Sequence, residues 1–121
     1  MPVCTPGVVG QLAFLEGPPG QSLLRDGGDM TALLEECFAV PTRRVLLYAE
    51  NLPLSFFDVS SGEAGAFLQK LRTYGLRVAV VTPPQSVPVS HRFAELVAAE
   101  RRDGAFGLFD SRAAALLWLV E

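Results

Sequence analysis

The stretch FFDVSSGEAGAFLQKL, residues 56–71, places an acid and two serines directly ahead of an apolar-periodic run. Two kinds of chemistry suit these residue types. Ser60 and Glu63 have the S-x-x-E spacing of a capping box, in which the serine oxygen accepts from the amide of Glu63 and the carboxylate accepts from the amide of Ser60. Such a cap holds a helix start with about 1 kcal/mol. The second chemistry belongs to anions: a hydroxyl at a helix start, here Ser61, can carry a phosphate whose charge the exposed amides and the helix dipole stabilise. Glu63 in the same turn opposes that use. Capping leaves Asp58, Ser61 and Gly62 without a role, so both readings stand.

Other chemistries find less support. His91 is the only histidine. A triad of Ser61, His91 and Asp58 or Asp110 can be written down, but the serine lacks a G-x-S-x-G elbow. A lone histidine without carboxylate–histidine spacing gives no metal set. The stretch RDGGDM lacks the lysine of a phosphate loop, and no G-x-G-x-x-G follows a strand, so no cofactor is expected. The balance leans away from an enzyme. Phe56 and Phe57 are adjacent, and neighbours on an extended chain face opposite ways. One of them is expected in the core, and the other against the loop or a partner; core packing accounts for the pair more readily, though a half-exposed ring beside the serines would suit a docking surface.

The elements that must position these residues follow from periodicity. Residues 8–15 (VVGQLAFL) read as a strand, GPPG at 17–20 as a turn, and QSLL at 21–24 as a short second strand or edge. Asp29 is expected to cap a helix whose apolar stripe is Met30, Leu33, Leu34, Cys37 and Phe38, stopped by Pro41. RVLLYA at 44–49 has the continuous apolar character of a central strand. The helix after the serines buries Ala64, Phe67, Leu68 and Leu71, and Gly75 closes it in the left-handed conformation. RVAVV at 77–81 is a further strand, ended by Thr82-Pro83-Pro84. A helix from Ser90 to Asp103 buries Phe93, Leu96, Val97 and the stem of Glu100. AFGLF at 105–109 and a last helix capped by Asp110-Ser111, with Ala115, Leu116 and Leu119 inward, complete the pattern.

Alternating strands and helices predict right-handed crossovers and a small α/β sandwich: a mostly parallel or mixed sheet of four to five strands, with an N-terminal strand or hairpin at one side, and about four helices. No repeat or linker divides residues 1–121, so one domain is expected. Ligands of such sheets gather at the carboxyl ends of the parallel strands. Those ends hold Glu50-Asn51, Thr82 and Asp110-Ser111, with Asp58, Ser60 and Ser61 in the loop before the second helix.

The bulk numbers exclude some classes. Half the residues are hydrophobic and 19% are charged, which fits a globular chain rather than a disordered one. A net charge of −3 argues against nucleic-acid binding. Nine of the ten basic residues are arginine; base composition of the gene explains this as simply as selection for phosphate forks does. Cys4 and Cys37 form no metal spacing, and Cys37 on an apolar helix face reads as a buried thiol in a reducing compartment. No signal peptide is visible and the longest apolar run, residues 113–120, is too short for a bilayer, so a cytoplasmic protein without membrane contact is expected.

From Val45 to Val81 the chain resembles a bacterial family, domain of unknown function 4180. The shared pattern is Glu50, Phe56-Phe57-Asp58, Ser61-Gly62, Ala64-Gly65 and Leu68-Gln69-Lys70. Pro53 stands two residues from the family's usual place, and Thr82-Pro83-Pro84 replaces its Gly-Asp-Phe. The family name implies no activity. More distantly, an acid, serines and a glycine opening the second helix are similar to the STAS domains of anti-sigma-factor antagonists. That resemblance implies a serine phosphorylated by a partner kinase, with Ser61 as the candidate and Asp58 as the preceding acid. The spacing here is longer by a residue on each side of Ser-Gly.

These readings together lead to a non-enzymatic, STAS-like regulatory or protein-interaction domain. Its surface would be Glu50, Phe56, Phe57, Asp58, Ser60, Ser61 and Gly62, with Thr82 and Asp110 nearby. An alternative is a small-molecule or anion-binding protein, or an enzyme, working at the strand ends. A homodimer paired through an exposed apolar surface is a third expectation, with Trp118 either in that interface or closing the core.

Overall fold

The computed structural model describes residues 4–24, 27–83 and 89–121. Residues 1–3, Arg25 and Asp26 of the RDGGD loop, and Pro84 lie outside them. In chain order the elements are β1 (Thr5–Val9), β2 (Leu12–Glu16), α1 (Gly27–Ala39), β3 (Arg44–Tyr48), α2 (Glu63–Tyr74), β4 (Arg77–Val81), α3 (His91–Asp103), β5 (Phe106–Phe109) and α4 (Arg112–Leu119). Three 3₁₀ turns, Ala49–Asn51, Leu54–Phe57 and Val59–Ser61, fill the connection from β3 to α2.

The strands form one five-stranded sheet in the order β1-β2-β3-β4-β5. β1 is antiparallel to β2, and β2, β3, β4 and β5 run parallel to their neighbours. This is the small mixed α/β fold that the alternation of elements predicts. With the parallel strands in chain order, right-handed crossovers place successive helices on the same face. Leu33 and Cys37 of α1, Phe67 and Leu71 of α2, and Phe93 and Val97 of α3 accordingly share a core with Val45, Leu47, Val78, Val80 and Phe106. The alternate strand positions, Leu46, Ala79, Val81 and Phe109, turn to the other face and pack against Ala115, Trp118 and Leu119 of α4. Trp118 therefore closes this second core, with its ring 5.4 Å from that of Phe109. Its burial accounts for it without a dimer interface.

Several expected boundaries move. Residues 8–15 are not one strand: the chain reverses at Gly10-Gln11 and pairs Val9 with Leu12 in a hairpin with a two-residue loop. Residues 21–24 are not a strand either, although Leu23 and Leu24 are buried. Helix α1 begins at Gly27, so Asp29 lies in its first turn rather than at its cap. Phe38 leaves the α1 stripe and is 67% exposed. Gly75 does close α2 at φ 67°, as expected. Leu96 is only partly buried against the first core, whereas Glu100 is buried entire, at 2% exposure. Ser111, not Asp110, caps α4 by accepting from the amide of Ala114.

Candidate functional site

The connection from β3 to α2 starts from Asn51, which is 1% exposed. Asn51 Oδ1 accepts from the amide of Tyr48 at 2.7 Å, and Nδ2 donates to the carbonyls of Pro18 and Gln21 at 2.7 and 2.9 Å. Its own carbonyl accepts from the amides of Leu23 and Leu24. Asn51 thus fastens the 17–24 loop to the carboxyl end of β3. The sequence places it beside Glu50 among the strand-end candidates for a ligand; its burial and bonds give it this fastening role instead.

Next, the 3₁₀ turn Leu54–Phe57 gives both phenylalanines the core packing favoured for the pair and leaves neither ring outside for the loop surface or a partner. Adjacent side chains on a helical turn diverge by about 120° rather than by half a circle. Both rings therefore reach the core, Phe56 at 3% and Phe57 at 2% exposure. Phe56 meets Phe57, Phe67, Phe93 and Phe106 with ring centroids 5.4–6.0 Å apart. The apolar side chain this turn leaves outside is Leu54, 70% exposed.

The serines do not form the predicted capping box. Gly62 occupies the N-cap of α2 with φ 79°, a conformation costly for other residues. Asp58 caps the preceding 3₁₀ turn instead: its Oδ1 accepts from the amide of Ser60 at 3.0 Å and from the Ser60 hydroxyl at 2.7 Å. Those two bonds hold the Asp58 carboxyl below its ordinary value. The Ser61 hydroxyl lies 2.7 Å from the carbonyl of Ser55 and 2.8 Å from that of Asp58, and accepts from the amide of Glu63 at 3.2 Å. Glu63 turns away from Ser60 and accepts from the Ser55 hydroxyl at 2.6 Å. Ser55, Asp58, Ser60, Ser61 and Glu63 are all exposed, and their polar groups bond chiefly to one another.

The remaining strand-end residues are separate. Glu50 and Asp110 are exposed, and no hydrogen bond joins them to the Ser61 loop among the described residues. Thr82 follows β4; its amide donates to the carbonyl of Phe109, while its hydroxyl is buried without a hydrogen-bond partner among the described residues. His91 pairs with Glu95 on the surface of α3, 2.8 Å apart, rather than with Ser61. Among the described residues no cluster of three or more histidine, cysteine or acidic side chains could hold a metal ion, and no helix is long and apolar enough to cross a membrane.

One polar cluster at this edge was missed. Glu16 at the end of β2 receives the Tyr48 hydroxyl and a fork from Arg112, with Nε at 2.9 Å and Nη2 at 3.0 Å. The Arg112 bonds lower the Glu16 carboxyl below its ordinary range, and burial followed by the bond to Glu16 raises the Tyr48 phenol. Only the pairing of β2 with β3 and the return of α4 across the sheet bring the three together. Spacing along the chain held no trace of this.

The family is shown by comparison: residues 10–119 match the model described as "Domain of unknown function (DUF4180)", and the chain belongs to that family. Comparisons with curated proteins and with solved structures returned no significant match.

Proposed function

We propose that the chain is a regulatory domain of STAS-like architecture in the bacterial cytoplasm, and that it acts by docking a protein partner rather than by catalysis. The docking surface is the 51–63 loop with the exposed side of α2, including Gln69, Arg72 and Thr73. The observation that carries this reading is the exposed Ser61 hydroxyl, which ties the turn containing Ser55 to the turn containing Asp58. A phosphate on that oxygen can no longer donate to either carbonyl. It would also face the carboxylates of Asp58 and Glu63, so the loop would be driven open. Leu54 offers an apolar contact on the same loop, in the manner of interface anchors flanked by polar groups.

The test is native mass spectrometry of the protein purified from its own host, followed by the same measurement on Ser61→Asp and Asp58→Ala. Phosphate on the 45–70 peptide, and a co-purifying partner lost from Ser61→Asp, are the expected results. Identical partner profiles in wild type and both variants would remove the reading.

A second reading rests on the buried, unpartnered Thr82 hydroxyl at the end of β4. It makes the strand ends a small-molecule or anion site involving Glu50, Asp58, Ser61, Thr82 and Asp110. Saturation at about 100 times the dissociation constant should stabilise the fold by about 2.7 kcal/mol. A thermal-shift series of small anions that moves Thr82→Val as much as wild type would dismiss it.

A further inference from the structure

We propose that the free edge of β5 docks an extended, acidic peptide segment of a partner protein, which adds to the sheet as a further strand and seats a carboxylate on Arg101. β5 is last in the strand order. The amide of Val78 donates to the carbonyl of Ala105 at 2.9 Å, and the amide of Thr82 to that of Phe109 at 2.7 Å. In a parallel ladder alternate residues face a given neighbour, so Ala105, Gly107 and Phe109 turn their backbone groups to β4. Phe106 and Leu108 turn theirs outward, where no hydrogen bond meets them among the described residues. Phe106 is 1% exposed, so its outward groups are shielded from water as well as unpaired. An added strand supplies what they lack.

The edge has room for that strand. A cavity of about 600 Å³ is lined by Ala94, Val97 and Ala98 of α3, Leu108 of β5 and Trp118 of α4. α3 and α4 cover opposite faces of the sheet, so a cavity that touches both lies beyond its edge strand. The other edge is built differently. Pro6 stands on β1, and a proline without an amide hydrogen is an ordinary device against strand addition. β5, with the sequence FGLF, carries none.

Arg101 supplies the chemistry of the partner. Its stem passes Gly107, 3.6 Å from where a Cβ would stand, and its guanidinium lies 4.7 Å from the Phe109 ring centroid. Phe109 belongs to the core under α4, so this side chain reaches from α3 around the β5 edge to the other face. Both Arg101 and its neighbour Arg102 line the cavity and are exposed, and their side chains make no hydrogen bond or ion pair among the described residues. Glu121 also lines the cavity, within electrostatic reach of Arg77. A carboxylate arriving on an added strand gives Arg101 a stronger partner than a phenyl ring does. The same charge argues against a second copy as the occupant. Antiparallel pairing of β5 with itself about Gly107 would set Arg101 against the same arginine of the copy, and like charges so placed repel.

The experiment pans a phage-displayed library of random dodecapeptides against the full chain. Enriched peptides are then synthesised and titrated by fluorescence polarisation into wild type, Arg101→Glu, Arg101→Ala, Leu108→Pro and Ser61→Asp. The enriched sequences should alternate apolar residues and carry an acid. Arg101→Glu should weaken them about tenfold or more, since a charged hydrogen bond is lost, and exchanging the acid of the peptide for lysine should restore binding to that variant. Leu108→Pro removes an outward donor and spares the ladder to β4, so affinity should fall while the fold persists. In the wild-type complex, amide hydrogen exchange should slow at Phe106 and Leu108. No enrichment, affinity undiminished in both Arg101→Glu and Leu108→Pro, or protection confined to other elements would overturn the site. Enriched peptides without acids would overturn the role given to Arg101. An Arg101→Ala chain that dimerises and binds no peptide would show that the arginine only guards the edge against self-association. Ser61 does not line this cavity, so Ser61→Asp should leave peptide binding intact and the two proposals fail separately.

Discussion

A Cβ placed on Gly17 would lie 2.5 Å from Asn51 Oδ1, so the glycine leaves the room that the buried amide fills. Asn51→Ala would strand the Tyr48 amide and the carbonyls of Pro18 and Gln21 without their partner. Each such orphaned group costs about 1–3 kcal/mol, and partial access of water to the loop should bring the total to about 2–4 kcal/mol. Gly17→Ala should destabilise by forcing the same amide aside. Urea unfolding checks both, and an Asn51→Ala midpoint equal to that of wild type would show that the loop is not held this way.

Phe56 and Leu54, two residues apart, should answer mutation in opposite ways. Phe56→Ala empties the centre of a five-ring cluster and should cost about 3–5 kcal/mol, as large-to-small aromatic changes do in cores. Leu54→Ala removes an exposed side chain and should change stability by less than about 0.5 kcal/mol. If the 51–63 loop docks a partner, Leu54→Ala should weaken that complex at unchanged stability. Chemical denaturation together with partner affinity separates the two effects.

The difference between these two residues shows how far the sequence could be read. Strands such as 44–48 and 77–81, and the stripe Ala64, Phe67, Leu68 and Leu71, were legible because one period and a capping glycine agree locally. The 51–63 loop was not, because three successive 3₁₀ turns have no hydrophobic period, and an extended reading of Phe56-Phe57 sends one ring to the wrong side. The Ser60–Glu63 spacing suggested a capping box that Gly62 displaces, since the glycine's left-handed backbone turns the chain into α2 two residues later. Glu16, Tyr48 and Arg112 were illegible for another reason: their meeting depends on strand order and on the return of α4.

Arg72 of α2 is the charged partner of Glu100, a carboxylate buried in α3 whose Oε2 has no hydrogen-bond partner among the described residues. Removing Arg72 would leave a buried charge uncompensated. Because the arginine is 57% exposed, water already screens the pair, and Arg72→Ala should cost about 1–3 kcal/mol rather than the full loss of a buried pair. Glu100→Gln in the Arg72→Ala background should recover part of that loss, since no charge then needs a partner. A double mutant no more stable than Arg72→Ala would mean that the arginine acts through the packing of its stem.

The Glu16–Tyr48–Arg112 cluster should give stability a pH dependence at both ends of the scale. Folding lowers the Glu16 carboxyl below its ordinary 4.5, mainly through the Arg112 bonds, so its contribution is complete above that value and is lost as pH falls through the folded pKa. Folding raises the Tyr48 phenol above its ordinary 10, first by burial and then through the bond to Glu16. That contribution is complete below 10 and is lost as pH rises through the higher folded value. Arg112→Ala should cost about 1 kcal/mol near neutral pH, since its side chain is half exposed. Glu16→Gln should be less stable than wild type at neutral pH and should flatten the acid limb, because an amide binds no proton there. Tyr48→Phe should flatten the alkaline limb and, because the hydroxyl bond also helps to hold the Glu16 carboxyl down, weaken the acid limb less than Glu16→Gln does. Urea midpoints followed from acid to alkaline pH read all three. An acid limb of undiminished slope in Glu16→Gln would assign the dependence to other carboxylates and leave this cluster a role in packing only.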